Sequence, residues 1–317
     1  MATLIALLAA TCASLALGAV HVPLGDVIDT LLGKQVPEAS KQIVEVLRLP
    51  RTVEAIVVGA ALGVAGACLQ GALNNPLASP DVIGVTGGAG FGAMLIILLY
   101  PSSLTLLPVS ALAFGLLAAF MVFLIGFTGR GGGNITRIIL AGIAVAALFS
   151  AGTAGLMSAY PDRVPNGIFF LVGGLTSTGW DTLETVWPYF AVGFVLAAFM
   201  IRPLDKLMLG DDVAASLGSR PRLIRLIAAL AAAVLAAAAA SVAGLLTFLG
   251  LVIPHLLLGG SKSHTFVIPV SALAGAALLT GADTLARTIA APVEMPVGPF
   301  LVLLGVPLFL WLLRKAV

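Results

Sequence analysis

Two long stretches of this chain contain no Asp, Glu, Lys or Arg, and they constrain its fold more than any other feature. They cover residues 82–128 and 226–261. Because a helix needs about 20 apolar residues to cross a bilayer, the first stretch fits two crossings, and the second fits a full crossing and a short one. Across the chain 60% of residues are hydrophobic and 9% are charged, whereas a soluble domain has roughly 25% charged residues. The sequence therefore predicts an all-α, polytopic membrane protein.

Charged residues and helix breakers divide the chain into about ten membrane-spanning helices within a single domain, 1–317. Pro101, Ser102 and Ser103 break the first uncharged stretch, and Gly244 and Pro254 break the second. The predicted spans are residues 1–20, 52–73, two within 82–128, 138–160, 186–201, two within 226–261, 266–286 and 297–313. Residues 1–20 end in small residues, as a signal peptide does, but they lack a basic n-region. A retained first helix is therefore favoured over a cleaved signal.

The basic residues indicate how the protein is oriented. An even number of spans puts both termini on one side of the membrane, and the 16 Lys and Arg residues divide ten to six between the two sides. The more basic side is expected to be cytoplasmic, which places both termini in the cytoplasm. The ten are Arg130, Arg137, Arg202, Lys206, Arg220, Arg222, Arg225, Lys262, Arg314 and Lys315; the six are Lys34, Lys41, Arg48, Arg51, Arg163 and Arg287.

Two short sequence matches suggest an internal repeat. VAG at 64–66 and at 242–244 is followed in each case by a proline ten residues after the glycine, and PVSALA occurs at 108–113 and at 269–274. Both matches are five spans apart, so the two copies would be inverted relative to each other, as in many transporters. The alternative is chance similarity in an alanine-rich sequence.

The 203–218 segment is the most informative loop. Pro203 suits the start of a short helix and Gly210 its end; Asp211 or Asp212 suits the cap of a second, which Gly218 would close. The two helices would present an apolar face on the cytoplasmic side, and such a face should dock onto a partner. A helical loop that lies on the bilayer is the alternative. The apolar residues of this face are Leu204, Leu207, Met208, Val213 and Leu217.

Two further groups of residues are candidates for function. Gly131, Gly132, Gly133 and Asn134 form either a cytoplasmic hinge for a moving gate or an ordinary flexible loop. Arg48, Arg51 and Arg287 lie near the outer ends of the second and ninth spans, where basic residues invite an acidic partner. The alternatives are contact with lipid headgroups for Arg48 and Arg51, and for Arg287 an i,i+4 pair with Asp283.

The sequence contains no pattern for catalysis or for a metal site. A net charge of +2 argues against nucleic acid as a partner. Gly33 and Lys34 are followed by Gln35 rather than Ser or Thr, so the chain has no P-loop and no ATP site of its own. Its three histidines and two cysteines have no metal-ligand spacing. We therefore expect neither an enzyme nor a cofactor in this chain.

Motifs along nearly the whole chain resemble the FecCD-type permeases, which import iron-siderophores, haem and vitamin B12. The match lies in several short runs that occur in the family's order, and together they are highly specific. These runs are LRLPRT at 47–52, GACLQG at 66–71, NPLASP at 75–80, LAGIA at 140–144, FLGLVIPH at 248–255, ADTLAR at 282–287, EMPVG at 294–298 and GVPLF at 305–309.

The resemblance implies one subunit of an ATP-driven importer in a bacterial cytoplasmic (inner) membrane. This subunit would pair with a second permease copy or a close relative, with the translocation path between the two. Two cytoplasmic ATPase subunits would carry ATP and Mg²⁺, and a soluble periplasmic or extracellular binding protein would deliver the substrate. Arg48, Arg51 and Arg287 match the family's docking arginines. Leu204 to Gly218, including Asp211, match its coupling helices, and Gly131 to Asn134 its inner gate loop.

One departure and one rival function remain. Family members carry an arginine after the Pro-His of the eighth span and an Asp-His-Arg before the ninth. In this chain residues 256–260 occupy the first position, and Ser263, His264 and Thr265 the second.

A ferric siderophore is the expected substrate, with haem, vitamin B12 or another metal chelate as alternatives. An ion-coupled secondary transporter is the rival, although only Asp283 is placed deep enough to couple an ion.

Overall fold

The computed structural model describes residues 1–18, 20–127, 135–175, 179–258, 263–289, 291 and 293–316. Within these ranges the regular structure is helical, which confirms the predicted all-α class. The α-helices, in chain order, are α1 (Ala2–Ala16), α2 (Leu24–Leu31), α3 (Glu38–Gln42), α4 (Leu49–Leu73), α5 (Val85–Leu99), α6 (Leu107–Phe127), α7 (Ile135–Ala159), α8 (Val164–Val172), α9 (Trp180–Leu207), α10 (Asp211–Ser216), α11 (Pro221–Ala243), α12 (Leu249–Leu258), α13 (His264–Ile289) and α14 (Val297–Ala316).

Each of the ten predicted spans coincides with one helix. Six of these helices are long and apolar enough to cross a bilayer: α4, α6, α7, α9, α11 and α13. Helices α1 and α5 are apolar but shorter, with 15 residues each, and α14 has 20 residues. Helix α12, ten residues long, is the short eighth span, and its Pro254 and the positive φ of 69° at Phe248 account for its irregular start. The chain is a multi-pass membrane protein.

Three short helices, α2, α3 and α8, were not predicted, because five to nine residues are too few to give a clear periodic signal. A π-helical segment, Ile43–Arg48, joins α3 to α4. Helix α8 is bound to the residues that follow α11: the amide N–H of Leu245 donates to the carbonyl oxygen of Phe170 at 3.1 Å. Gly174, just past α8, donates its amide N–H to Ala243 at 2.9 Å. These bonds satisfy backbone groups that the interrupted helices leave free.

Helices α4 and α11 form the centre of the bundle, and most of their residues are buried. They approach their neighbours closely because they are rich in glycine and alanine, as is usual where lipid provides no hydrophobic driving force. A Cβ atom added to Gly66 would overlap the carbonyl oxygen of Gly250 in α12, and one on Gly59 would overlap that of Gly275 in α13.

The packing of the ten span helices is consistent with the predicted inverted repeat. A shift of five spans relates α4 to α11, α5 to α12, α6 to α13 and α7 to α14. Helix α4 packs against α13, and the related α11 packs against α6. Likewise α5 packs against both α6 and α7, and α12 against both α13 and α14. The short VAG match is less regular, since it lies within α4 but at the end of α11.

Candidate functional site

The two ends of the bundle carry the candidate sites. We call the end that carries α10 the inner end, and the end where α1 finishes and α4 begins the outer end. Arg51 and Arg287 come together at the outer end, where the first turn of α4 meets the last turns of α13, and Arg48 lies beside them. Each of the three arginines is only 5% exposed.

Arg51 holds two carboxylates from the C-terminal part of the chain. Its Nε lies 3.0 Å from Oδ2 of Asp283 and its Nη2 lies 2.9 Å from Oδ1, which makes a bidentate pair. Its Nη1 donates to Oε2 of Glu294 at 2.6 Å. The side chain of Asp283 is buried and that of Glu294 is 56% exposed. A buried bidentate pair of this kind is short and strongly oriented.

Arg287 and Arg48 instead bind the end of α1. Arg287 Nη2 donates to the hydroxyl of Ser14 at 2.7 Å and also to the Ser14 carbonyl oxygen. Arg48 donates to the carbonyl oxygens of Leu15, at 2.7 Å, and Val20. The last carbonyls of a helix lack partners within it and carry partial negative charge, so guanidinium groups suit this position. Helix α1 is thereby tied into the bundle.

The local alternative for Arg287 is present but weak. Its Nε lies 3.9 Å from Oδ2 of Asp283, within an ion pair but outside hydrogen-bond distance. Asp283 is instead bonded to Arg51, a partner 232 residues away in sequence. The sequence analysis missed this pairing and the contribution of Glu294, because no periodic pattern links residues so far apart.

A cavity of 430 Å³ lies between these arginines and the end of α8. Arg48, Arg51, Arg287 and Glu294 line its charged wall, and Phe169 and Leu175 are among its apolar lining. Sequence reasoning expected the arginines to face an acidic protein from the outer surface. In the structure each of the three arginines is bonded to a group within the chain, and the cavity is the side from which they can be reached. Docking of a binding protein through these arginines therefore stays a prediction.

At the inner end, the 203–218 segment differs in one respect from the prediction. Pro203 does not start a separate helix, because α9 continues through it to Leu207. Leu204 and Leu207 are buried within the chain's own core, and Met208 is partly buried. The second short helix is α10, and the residue before it is Gly210, with φ of 96°, rather than a capping aspartate. Gly218 follows α10 with φ of 74°, as predicted.

The apolar face at this end is therefore smaller and shifted. We call it the inner apolar surface: Leu209, Val213 and Leu217, which are 58%, 47% and 53% exposed. Sequence reasoning found Val213 and Leu217 but missed Leu209, because it treated 203–209 as a helix with its own apolar face.

One ion pair and one hydrogen-bonded pair connect this segment to the spans. Asp211 accepts two hydrogen bonds from Arg225, at 2.6 and 2.8 Å, and Arg225 Nε donates to the carbonyl oxygen of Ala72 at the end of α4. The Arg225 guanidinium lowers the pKa of the Asp211 carboxyl, so the pair persists at neutral pH. Asp205 accepts from the amide N–H of His264 at 2.6 Å and lies 2.9 Å from its Nδ1. Movement of α10 would therefore reach α4 and α11, and movement of the end of α9 would reach α13.

The predicted gate residues, Gly131 to Asn134, lie outside the described residues. Of the departing loop, residues 256–258 and 263–265 are described. His264 is fully buried, and its Nε2 is so close to Gly71 that a Cβ atom there would overlap it.

Comparison with known proteins gives similarity over the whole chain. The sequence pattern of the FecCD transport family matches residues 6–315. The Fe(3+)-citrate import system permease protein YfmE of Bacillus subtilis (strain 168) is 36% identical over 304 residues, 95% of this chain and 90% of that protein. The hemin transport system permease protein HmuU of Yersinia pestis is 38% identical, covering 85% of this chain and 82% of that protein.

A third relative is the cobalamin import system permease protein BtuC of Halobacterium salinarum (strain ATCC 700922 / JCM 11081 / NRC-1). It is 39% identical, covering 88% of this chain and 75% of that protein. A solved structure described as a metal-chelate type ABC transporter in an inward-facing conformation superposes with a TM-score of 0.85 and 30% identity. It covers 99% of this chain and 98% of the solved chain.

Proposed function

The chain belongs to the FecCD transport family, and we propose from this premise that it imports a ferric-siderophore chelate as the permease subunit of an ATP-driven importer. That it is a permease of this importer type rests on the family match over residues 6–315 together with the ten-helix fold. The substrate, the partners and the membrane are the parts we propose.

The substrate proposal rests on the substrates for which the relatives are named. Permeases named for Fe(3+)-citrate and for iron(3+)-hydroxamate are 36% and 37% identical to this chain, each over 95% of it. Haem and vitamin B12 are the second candidates, because the hemin and cobalamin permeases are equally similar. The 203–218 segment supports a coupled importer, since α10 is ion-paired to α11 and exposes the inner apolar surface towards a separate ATPase.

The assembly we propose has two permease subunits, two cytoplasmic ATPase subunits that hold ATP and Mg²⁺, and an external binding protein. We place the protein in a bacterial cytoplasmic membrane with both termini inside, since ten of its 16 Lys and Arg residues lie on that side. The inner end is then the cytoplasmic end. The chain itself needs no cofactor in this scheme, and iron is cargo.

We expect transport in vesicles to depend on ATP and not on an ion gradient. The test is uptake of radioactive ferric siderophore into vesicles that contain the permease, its ATPase and the binding protein. Haem and cobalamin serve as competing substrates. Uptake that survives ATP depletion but stops when the ion gradient collapses would establish a secondary transporter instead. Uptake of haem or cobalamin alone would replace the ferric siderophore as substrate.

We expect Glu294→Gln to strengthen the docking of an acidic binding protein. The change removes the negative charge that Glu294 places beside Arg51 Nη1 at the cavity, while the buried Asp283 pair stays in place. Because measured exposed pairs are typically worth about 0.2–1 kcal/mol, the affinity gain should be about 1.4- to fivefold and should fade with salt. The measurement is binding-protein affinity across salt concentrations, with Glu38→Gln as a control for the same change in net charge. Unchanged or weaker affinity would remove the arginines from the docking site.

A further inference from the structure

A groove with a volume of 420 Å³ lies between the inner ends of α9 and α11, where no function has been assigned. Its apolar lining comes from both helices: Met200, Pro203, Leu223, Ile224 and Ile227. It is distinct from the inner apolar surface, whose three residues do not line it. Any occupant must therefore suit the walls of two membrane-spanning helices.

Three cations rim this groove: Arg202, Lys206 and Arg220. All three are exposed, and within the described part of the chain none of them has an ion pair. Of the acidic residues nearby, Asp205 in α9 is bonded to His264 and Asp211 in α10 to Arg225, while Asp212 in α10 is exposed. The lining of the groove itself contains three cations and no carboxylate, so its rim is positively charged.

The start of α11 adds to this charge. The helix begins at Pro221, and the residue before it, Arg220, makes no side-chain capping bond. The first amide groups of a helix lack partners within it and carry partial positive charge. An anionic group near Arg220 and Ser219 would therefore meet both side-chain cations and the start of a 23-residue helix.

The depth of the groove favours a lipid over a soluble protein as its occupant. Met200 lies about two turns before the end of α9, and Ile227 nearly two turns after the start of α11, which is about 10 Å into the bundle. A cytoplasmic protein reaches the basic rim but not this depth. A phospholipid reaches both, since its phosphate would sit at the rim and an acyl chain along the apolar wall.

We propose that this groove binds an anionic phospholipid from the inner leaflet. Arg202, Lys206 and Arg220 bind its phosphate, and Leu223 and Ile227 contact the acyl chain. Basic pockets between spans on the cytoplasmic side suit such headgroups. The proposal takes only the orientation from the function above and is independent of the transported chelate.

The test compares lipids retained by the purified full-length protein. The protein is reconstituted in nanodiscs of equimolar phosphatidylglycerol and phosphatidylcholine, extracted, and examined by native mass spectrometry. Wild type should retain phosphatidylglycerol in preference. Because each basic residue near an anionic surface contributes about fivefold, Arg202→Gln, Lys206→Gln and Arg220→Gln together should weaken retention on the order of a hundredfold.

The control removes three cations outside the groove, with Lys34→Gln, Lys41→Gln and Arg137→Gln, and should keep the lipid. If the triple groove variant does not fold, Arg220→Gln alone should still show its share of the loss. Equal loss in the control, or no preference for phosphatidylglycerol, would overturn the proposal. So would displacement by inorganic phosphate, or crosslinking of Ile227→Cys to a second copy or an ATPase rather than to a photoreactive phosphatidylglycerol.

Discussion

Asp283→Ala is expected to abolish most of the correctly folded protein in the membrane. The change leaves the guanidinium of Arg51 buried, with Glu294 as its remaining carboxylate partner. Removing one partner of a buried ion pair costs about 3–5 kcal/mol, a large share of the roughly 5–15 kcal/mol that holds a protein folded. The measurement is the monodisperse fraction of a fluorescent fusion after detergent extraction, followed by its thermal unfolding.

Glu294→Gln is the matched control, because it removes a carboxylate from the same guanidinium. Since Glu294 is 56% exposed, its loss should cost about 0–1 kcal/mol. A double variant, Arg51→Met with Asp283→Leu, should recover much of the loss, because neither member of the buried pair is then left alone. Arg287 keeps its bonds to Ser14, and Glu294 is exposed to solvent. An Asp283→Ala protein as stable as wild type would show that the pair does not hold α4 to α13.

This pair also changes how docking has to be tested. Charge reversal at Arg48 and Arg51, a natural first experiment from the sequence, would disrupt the contacts of α1 and of Asp283. Loss of binding-protein affinity in such a variant would then follow from damage to the fold. Glu294→Gln avoids that ambiguity, since it alters only the exposed partner.

The sequence predicted the membrane helices well because bilayer thickness restricts their length and composition. Long uncharged runs, interrupted at Pro101 and around Gly244, located ten helices, although α9 extends six residues beyond the predicted span at each end. The sequence-based prediction failed for segments whose length and composition are not restricted by the bilayer. Helix α8 is too short to give a signal, and α9 continues through Pro203 although proline normally favours a helix start.

The sequence predicted which residues belong to the candidate sites, but not how those residues are arranged or what they contact. The structure does bring together the three arginines, Arg48, Arg51 and Arg287. Their binding partners, however, come from α1, α13 and the segment before α14, and only tertiary packing places these elements side by side. The local pairing of Asp283 with Arg287 is the one a sequence can suggest. The structure instead orients Asp283 towards Arg51, whose guanidinium can bind both carboxylate oxygens at once.

The inner apolar surface carries the second large expected effect. Val213→Asp together with Leu217→Asp should eliminate stable binding of the ATPase while the permease still folds. Both side chains are about half exposed, so the free permease loses little. Apolar residues central to an interface cost about 2 kcal/mol or more each when removed, and burying an unpaired carboxylate adds to this. We therefore expect affinity to fall by a factor of about a thousand or more.

The measurement is co-purification of the ATPase with the membrane-inserted permease. The measurement is informative only if the substituted residues are exposed in the free permease. Leu204 and Leu207 are unsuitable, because both are buried in the chain's own core and a carboxylate there would unfold the protein. Ile28→Asp with Leu32→Asp is the matched control, an equally exposed apolar pair in and just after α2 at the outer end. If the Val213 and Leu217 variant retains the ATPase as wild type does, α10 is not the coupling contact. If the control loses it as well, the loss reflects general damage and the inner apolar surface has no special role.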